Sequence, residues 1–191
     1  MIHQVPYLSQ FQNVSKEEWK ARSCTIVCLA MALAYVWGKS LATPDELIEE
    51  GLTIKARTEH GWDHQGIANL AHNHGVPAYK EEFRSIHVDT NKDTFAPSEF
   101  KSSLTEYGIE KIVSTLCDGG LVIASVLRGL KADGTFHSIL IVGYEEGGGN
   151  LTFVFHDPDA KFGQKSNLRI SKDDFVPVWR NMAIFIAKKS L

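Results

Sequence analysis

The chain carries little excess charge of either sign: 20 Lys and Arg stand against 23 Asp and Glu, for a formal charge of −3. It has no run of Lys and Arg, and so lacks the surface needed to neutralise many phosphates; nucleic acid is not an expected partner. Long apolar stretches are missing too. The longest, "CTIVCLAMALAYVW", falls a turn or two short of the roughly 20 residues that span a bilayer, so no membrane insertion is expected. The N-terminal "MIHQVPYLSQFQNV" has neither a basic leader nor an uninterrupted apolar stretch of signal-peptide length. The expectation is a cytoplasmic protein as written, or an exported one if a leader was removed. Cysteine is scarce: three residues, Cys24, Cys28 and Cys117, cannot all pair within one chain. No internal repeat appears, and no low-complexity segment beyond the short "EEGGG".

What is present suits one compact domain over residues 1–191, with 43% hydrophobic residues to fill a core. "QVPYLSQ" alternates and contains Pro6, as an extended edge segment would. Residues 24–37 read as a helix apolar around most of its circumference, buried through the domain centre and ended by Gly38. "TPDELIEEG" predicts a second helix, capped by Thr43 with Pro44 at its first position and closed by Gly51. "WDHQGIANLAHNHG" predicts a third, ended by Gly75, and "PSEFKSSLTEYG" with "IEKIVSTLCDGG" one or two more. After Gly120 the texture changes to short runs rich in β-branched and aromatic residues: "LVIASVL", "FHSILIVGYE", "NLTFVFHDP", "NLRI" and "MAIFIA". Helices followed by strands mean α+β with an antiparallel sheet, a helical half at about 1–119 packed on a sheet half at about 120–191.

Chemistry enters with Cys24. A thiol is a nucleophile only as thiolate, and a helix N-terminus favours the anion through unpaired N–H groups and the positive end of the dipole. Cys24 sits there, after Ser23, which could itself be the cap. Cys28 lies one turn further in among Leu29, Ala30 and Met31, as a core thiol would, and Cys117 falls at a helix C-terminal end that disfavours an anion. A nucleophilic thiol also needs a base, and the base a third group to fix its tautomer. If "FHSILIVGY" and "LTFVFHDP" pair as a hairpin with Tyr144 opposite Asn150, His137 falls opposite Asp157 on one face of the sheet, at about 4.5 to 5.5 Å between Cβ atoms. A one-residue slip would separate them. Taken singly, Cys24 could be a structural thiol, His137 a core histidine and Asp157, before Pro158, a turn residue. Their joint arrangement points to catalysis.

With these residues in place the chain resembles the papain-like cysteine peptidases, and within them the bacteriocin-processing, double-glycine-peptidase-like branch. The resemblance is carried by "VPYLSQ", "SCTIVCLAMALAYVWG", "FHSILIVGY", "FHDPDAKFG" and "ISKDDFVPVW", and by the order Cys, His, Asp. It implies Cys24 as nucleophile, His137 as base and acid, Asp157 as orienter and Gln10 as oxyanion donor, with Gln12 close by as the alternative. The reaction implied is hydrolysis of a peptide or amide substrate through an acyl-enzyme, with no cofactor and no metal. Two departures stand beside it: thirteen residues separate Gln10 from Cys24, and Thr25-Ile26 follows the cysteine where many relatives have Gly-Pro or Asn-Val. The family's exporters continue into transmembrane and nucleotide-binding segments whereas this chain ends at Leu191, so a double-glycine leader is not the expected substrate.

Other readings are a non-catalytic peptide-binding module of the same fold and an acyl or amine transferase with the same triad. His60, His64, His72 and His74 form a rival constellation, since i, i+4 histidines on one helix face can chelate a metal. But Gly61 would precede the helix, His72 and His74 would point about 200° apart, and no Cys or acidic signature completes a site. Trp62, in "HGWDHQ", is the aromatic placed to line a substrate groove.

Overall fold

The computed structural model describes residues 1–84 and 102–188. Helices α1 (Glu17–Lys20), α2 (Cys24–Trp37) and α3 (Pro44–Thr53) come first. A two-residue pair, β1 (Arg57–Thr58) and β2 (Gly61–Trp62), leads to α4 (His64–Asn73), β3 (Ala78–Glu82) and α5 (Ser102–Cys117). Strands β4 (Leu121–Leu127), β5 (Phe136–Gly147), β6 (Asn150–His156) and β7 (Leu168–Ser171) follow, then α6 (Lys172–Phe175) and β8 (Trp179–Ile186). Among the described residues β3 to β8 make one antiparallel sheet in the order β3-β8-β4-β5-β6-β7, an α+β architecture. No described helix is long and apolar enough to cross a membrane.

The helices obey their local signals, with two corrections. Thr43 and Glu46 cap α3 reciprocally, the Thr43 hydroxyl accepting from the Glu46 amide while the Glu46 carboxylate accepts from the Thr43 amide. Gly51 does not end this helix, which runs on to Thr53; a Cβ at Gly51 would lie 2.7 Å from the Trp62 ring, so the glycine admits that aromatic. α4 starts later than the pattern suggested because Asp63 is its cap, accepting from the Gly66 amide at 2.8 Å. α5 is one continuous helix through Gly108, against which Phe83 and Trp179 pack; the proposed start of this region at residues 97–101 lies outside the described residues.

Helices pack on both faces of the sheet. Ile26, Leu29 and Leu33 of α2, with Leu47 and Leu70, cover one face of the sheet through Ile123, Leu140 and Ile184. The alternate residues Val122, Ile139, Ile141 and Phe153 face Ile109, Ile112 and Leu116 of α5 on the other side. Burial on both faces is why "LVIASVL" and "SILIV" read as unbroken apolar runs. β3 joins as an edge strand beside β8, although "AYKEE" carries too little alternation to announce a strand.

The hairpin that carries the candidate histidine and aspartate also departs from the expected register. Its turn is Gly148-Gly149, both at positive φ (59° and 80°) as a type I′ turn requires, so Gly147 pairs with Asn150 and Tyr144 with Phe153. Relative to the expected Tyr144–Asn150 pair this is a slip of three residues, an odd number that by itself would put His137 and Asp157 on opposite faces. A bulge at Val142 restores the parity: Gly143 pairs with Val154 but Ile141 with Phe155. The N-terminal segment takes up main-chain groups there, with the His3 amide donating to the Val142 carbonyl at 2.9 Å and the Tyr144 amide to the Met1 carbonyl at 2.8 Å. Ile2 bridges Gly143, where a side chain would collide with the Met1 carbonyl oxygen. Gly143→Val should therefore lower Tm by roughly 3–10 °C, whereas Gly147→Val, with open space around its Cβ, should shift it by less than about 2 °C; thermal unfolding of both variants checks this.

Candidate active site

The start of β5 and the end of β6 lie together at one end of the sheet, and the first turn of α2 abuts them there: the Thr25 and Ser138 hydroxyls are 2.8 Å apart. His137 and Asp157 project from this end. His137 Nε2 donates to Asp157 Oδ1 at 2.7 Å, and both side chains are buried, at 3% and 8% exposure. They are diagonal neighbours across the hairpin, not direct partners, since the register there would place Asp157 beyond the Leu140–His156 pair; the histidine is long enough to close that distance. The Asp157 carboxylate also accepts from the Asp159 amide at 2.9 Å and has Lys165 Nζ at 3.6 Å. Burial would raise its pKa, but the His137 hydrogen bond and charge, with these other partners, hold it below the ordinary value.

Anchored on the carboxylate by Nε2, the imidazole has Nδ1 left for other chemistry; Nδ1 is buried and has no hydrogen-bonding partner in good geometry among the described residues. The thiol it couples to is Cys24, the first residue of α2, partly exposed in the same cleft. Burial pushes the Cys24 thiol up, yet interaction with His137, the Ser138 main chain and the Thr25 hydroxyl more than offsets this and brings it to about 7. Burial likewise pushes His137 down, and Asp157 and Cys24 together raise it to about 9. With the thiol the stronger acid, thiolate and imidazolium coexist between those values. The helix dipole adds to the anion's stability, although Ser23 supplies no side-chain cap: its hydroxyl is buried without a partner among the described residues. Cys28 is fully buried, and burial holds its thiol well above the ordinary value, while Cys117 is exposed against the Tyr144 hydroxyl at 3.0 Å.

Residues 7–12 are clasped to the loop that follows Asp157. The Tyr7 hydroxyl donates to the Asp157 carbonyl at 2.9 Å, the Gln10 amide to the Pro158 carbonyl at 2.9 Å and the Ser9 hydroxyl to the Ala160 carbonyl at 2.5 Å. The two glutamines differ sharply. Gln12 spends its side-chain amide on the Ala160 and Gly163 carbonyls, whereas Gln10 is fully buried and neither of its side-chain polar atoms has a partner among the described residues. An unsatisfied buried amide is costly to keep.

Cys24 and His137 line a cleft of about 180 Å³. Trp62 forms one wall, its ring largely buried beside Trp19 and its Nε1 donating to the Arg22 carbonyl at 2.8 Å. The four clustered histidines are dispersed: His60 and His64 reach the cleft, His72 is bonded to the Ala78 carbonyl and His74 to Glu50. Among the described residues no group of three or more His, Cys, Asp or Glu side chains is arranged to hold a metal ion. Ser138 and the arginines Arg128 and Arg180 also line the cleft and were not singled out by pattern. Strand periodicity gives an arginine on β8 no distinguishing mark, because its aim is set by a backbone irregularity.

A model of the Peptidase_C39 like family matches residues 2–184. Among solved structures the chain is similar to a C39-like peptidase from Bacillus anthracis, with 14% identity over 98% of this chain and 96% of that one and a TM-score of 0.62. It is also similar to a double glycine motif protease from an AMS/PCAT transporter in complex with the leader peptide (15% identity, 97% and 94% of the chains, TM-score 0.52). A third is the peptidase domain of Streptococcus ComA, a bi-functional ABC transporter involved in a quorum sensing pathway (17%, 88% and 93%, TM-score 0.50). At these identities the likeness establishes the fold. No curated protein matches the chain.

The pair's ionisation yields a direct expectation. Alkylation of Cys24 by iodoacetamide should rise through a pH near 7. In Asp157→Asn, burial lowers His137 unopposed, the imidazolium is lost at lower pH, and the Cys24 profile should move up by about one unit or more toward the ordinary 9.0. Peptide mapping of the adducts separates Cys24 from the exposed Cys117.

Proposed function

The chain belongs to the Peptidase_C39 like family, and from that premise we propose that it is a cysteine peptidase that cleaves a peptide or related amide bond through an acyl-enzyme on Cys24. The observation that carries this is the 2.7 Å His137–Asp157 hydrogen bond beside a cysteine whose pKa is brought to about 7. In this reading residues 1–191 act as a single peptidase domain. A structural neighbour that holds a leader peptide supports a peptide as the class of substrate.

In this reading each step is assigned to one group of the candidate site. The Cys24 thiolate attacks the carbonyl carbon, and the C–S bond forms as the carbonyl electrons move onto oxygen. The Cys24 amide at the start of α2 and the Gln10 side chain hold that oxyanion. Gln10 is favoured over Gln12 because its side-chain amide is unspent and its main chain is docked on Pro158, next to Asp157. As the tetrahedral adduct collapses, the C–N bond breaks and His137 gives its proton to the departing amine. The neutral imidazole, kept in register by Asp157, then takes a proton from water as the hydroxide oxygen adds to the thioester carbon; the C–S bond breaks, the carboxylic acid leaves, and Cys24 thiolate is left beside His137 imidazolium. Trp62 bounds the groove in which the substrate lies.

Hydrolysis of an internally quenched peptide mixture, followed by mass spectrometry, is the test. Cleavage should vanish in Cys24→Ala and fall by about 10² to 10³ in Gln10→Ala, with Gln12→Ala close to wild type. Its pH profile should be a bell with limbs near 7, where the thiolate is lost to protonation, and near 9, where the imidazolium is lost. Cleavage that survives Cys24→Ala would overturn the reading.

A further inference from the structure

Two hydroxyls meet where α2 abuts the sheet, in a contact that is otherwise apolar. Residues of β5 alternate across the sheet: Leu140 and Val142 join Ile26 and Leu29 of α2 in one core cluster, while Ile139 and Ile141 join α5 in the other. By parity Ser138 continues the row that faces α2. Its hydroxyl lies 2.8 Å from that of Thr25, and the two residues are buried, at 4% and 5% exposure. A small apolar pair would join helix and strand as well, without the desolvation that buried hydroxyls carry. The Ser138 main chain is tied to the same helix, because the Cys28 thiol, kept protonated by burial, donates to the Ser138 carbonyl at 3.7 Å.

The hydroxyls also reach the sulfur. Thr25 Oγ1 is 3.9 Å from Cys24 Sγ, while His137 Nδ1 has no partner in good geometry among the described residues. Each hydroxyl has one proton to donate and lone pairs to accept with. Toward a thiolate, Thr25 donates to the sulfur and Ser138 donates to Thr25, so both hydroxyl protons are used. A neutral thiol is a weak acceptor, and the last of these donations is strong only when the sulfur carries charge. Were the thiol to donate to Thr25 instead, and Thr25 to Ser138, the Ser138 proton would have no acceptor among the described residues. A hydrogen bond left unmade by a buried group is costly. Either way the pair favours the anion.

We propose that Thr25 and Ser138 form a hydroxyl relay to Cys24, in which Thr25 is a positioning residue that holds the sulfur as an anion before attack and again as it leaves the thioester. The inference rests on the reading of Cys24 and His137 as the reacting pair and adds a source of thiolate stabilisation that does not pass through the imidazole. In the acyl-enzyme the sulfur is uncharged, and Thr25 turns its proton back to Ser138 by rotation about two C–O bonds. Release of the thiolate then regains both donations. Burial pushes the Cys24 thiol up; His137 opposes that most, and the Ser138 main chain and the Thr25 hydroxyl oppose it too.

The test follows iodoacetamide alkylation of Cys24 against pH, with the adducts mapped so that Cys117 is kept apart. His137, backed by Asp157, and Cys28 are the titratable groups that face the sulfur; Arg22, Arg57, His60, His64, Arg128 and Arg180 line the same cleft. All are unchanged in the variants, so movement of the half-point isolates the hydroxyls. Thr25→Val should raise the half-point from near 7 by about half a unit to one unit. Thr25→Ser, which keeps the hydroxyl, should stay within about 0.2 unit of wild type. Ser138→Ala should raise it by about half as much as Thr25→Val, because Thr25 still has its own proton for the sulfur, and should add nothing further in the Thr25→Val background. A contact that only joins helix to strand would lower Tm and leave the half-point where it was. An unmoved half-point in Thr25→Val overturns the proposal, as does Thr25→Ser matching Thr25→Val, or a Ser138→Ala shift that persists in full without the Thr25 hydroxyl. If Thr25→Val does not fold, an unmoved half-point in Ser138→Ala overturns it alone. A wild-type half-point near the ordinary 9.0 would instead remove the activated thiolate on which the proposed peptidase function rests. A half-point near 7 that neither hydroxyl variant moves sinks the relay and leaves that function standing.

Discussion

The hydrogen bond from His137 to Asp157 is the constraint on which the rest of the site depends. Buried imidazole would ordinarily lose its proton, and buried thiol would keep its own. The carboxylate reverses the first tendency by stabilising the imidazolium, and the imidazolium reverses the second. Without the carboxylate, both groups would sit neutral. The interaction also fixes which ring nitrogen meets the thiol, so orientation and ionisation are set by a single contact.

That contact is held by main-chain bookkeeping some distance away. The bulge at Val142 decides which face of the hairpin His137 shares with Asp157, and the N-terminal segment occupies the main-chain groups around it. The same segment then runs on to bond the Asp157, Pro158 and Ala160 carbonyls through Tyr7, Gln10 and Ser9. A stretch that sequence patterns describe only as extended therefore ties the histidine strand to the aspartate loop. It also buries Gln10 against the loop that follows Asp157, although Gln10 is not among the residues that line the cleft.

Much of this was legible before any coordinates. The limits of α2, the position of Cys24 at its first turn and the inert burial of Cys28 follow from periodicity, capping and the helix dipole. The juxtaposition of His137 with Asp157 was also readable, but through a direct pairing that does not occur. Turn length and bulge differ from expectation by amounts that compensate in parity, and no local preference of Val142 signals a bulge. The edge strand β3 is not marked by pattern because its exposed faces carry Lys and Glu, and the choice between one helix and two around Gly108 is settled only by Phe83 and Trp179, which pack against that glycine. Arg180 was invisible for a different reason: its direction comes from an irregular stretch anchored through Asn181 to residues far away in sequence.

The diglycine tip at Gly148-Gly149 has open space around it and lies at the far end of the hairpin from His137. Lineages could lengthen or reshape that protrusion freely, because the part of β5 nearer the thiol, Phe136 to Ile141, is held independently by its pairing with β4. Losing or gaining one residue at Val142 would turn the histidine away from its carboxylate. Evolutionary tinkering with this hairpin is thus cheap at one end and forbidden at the other.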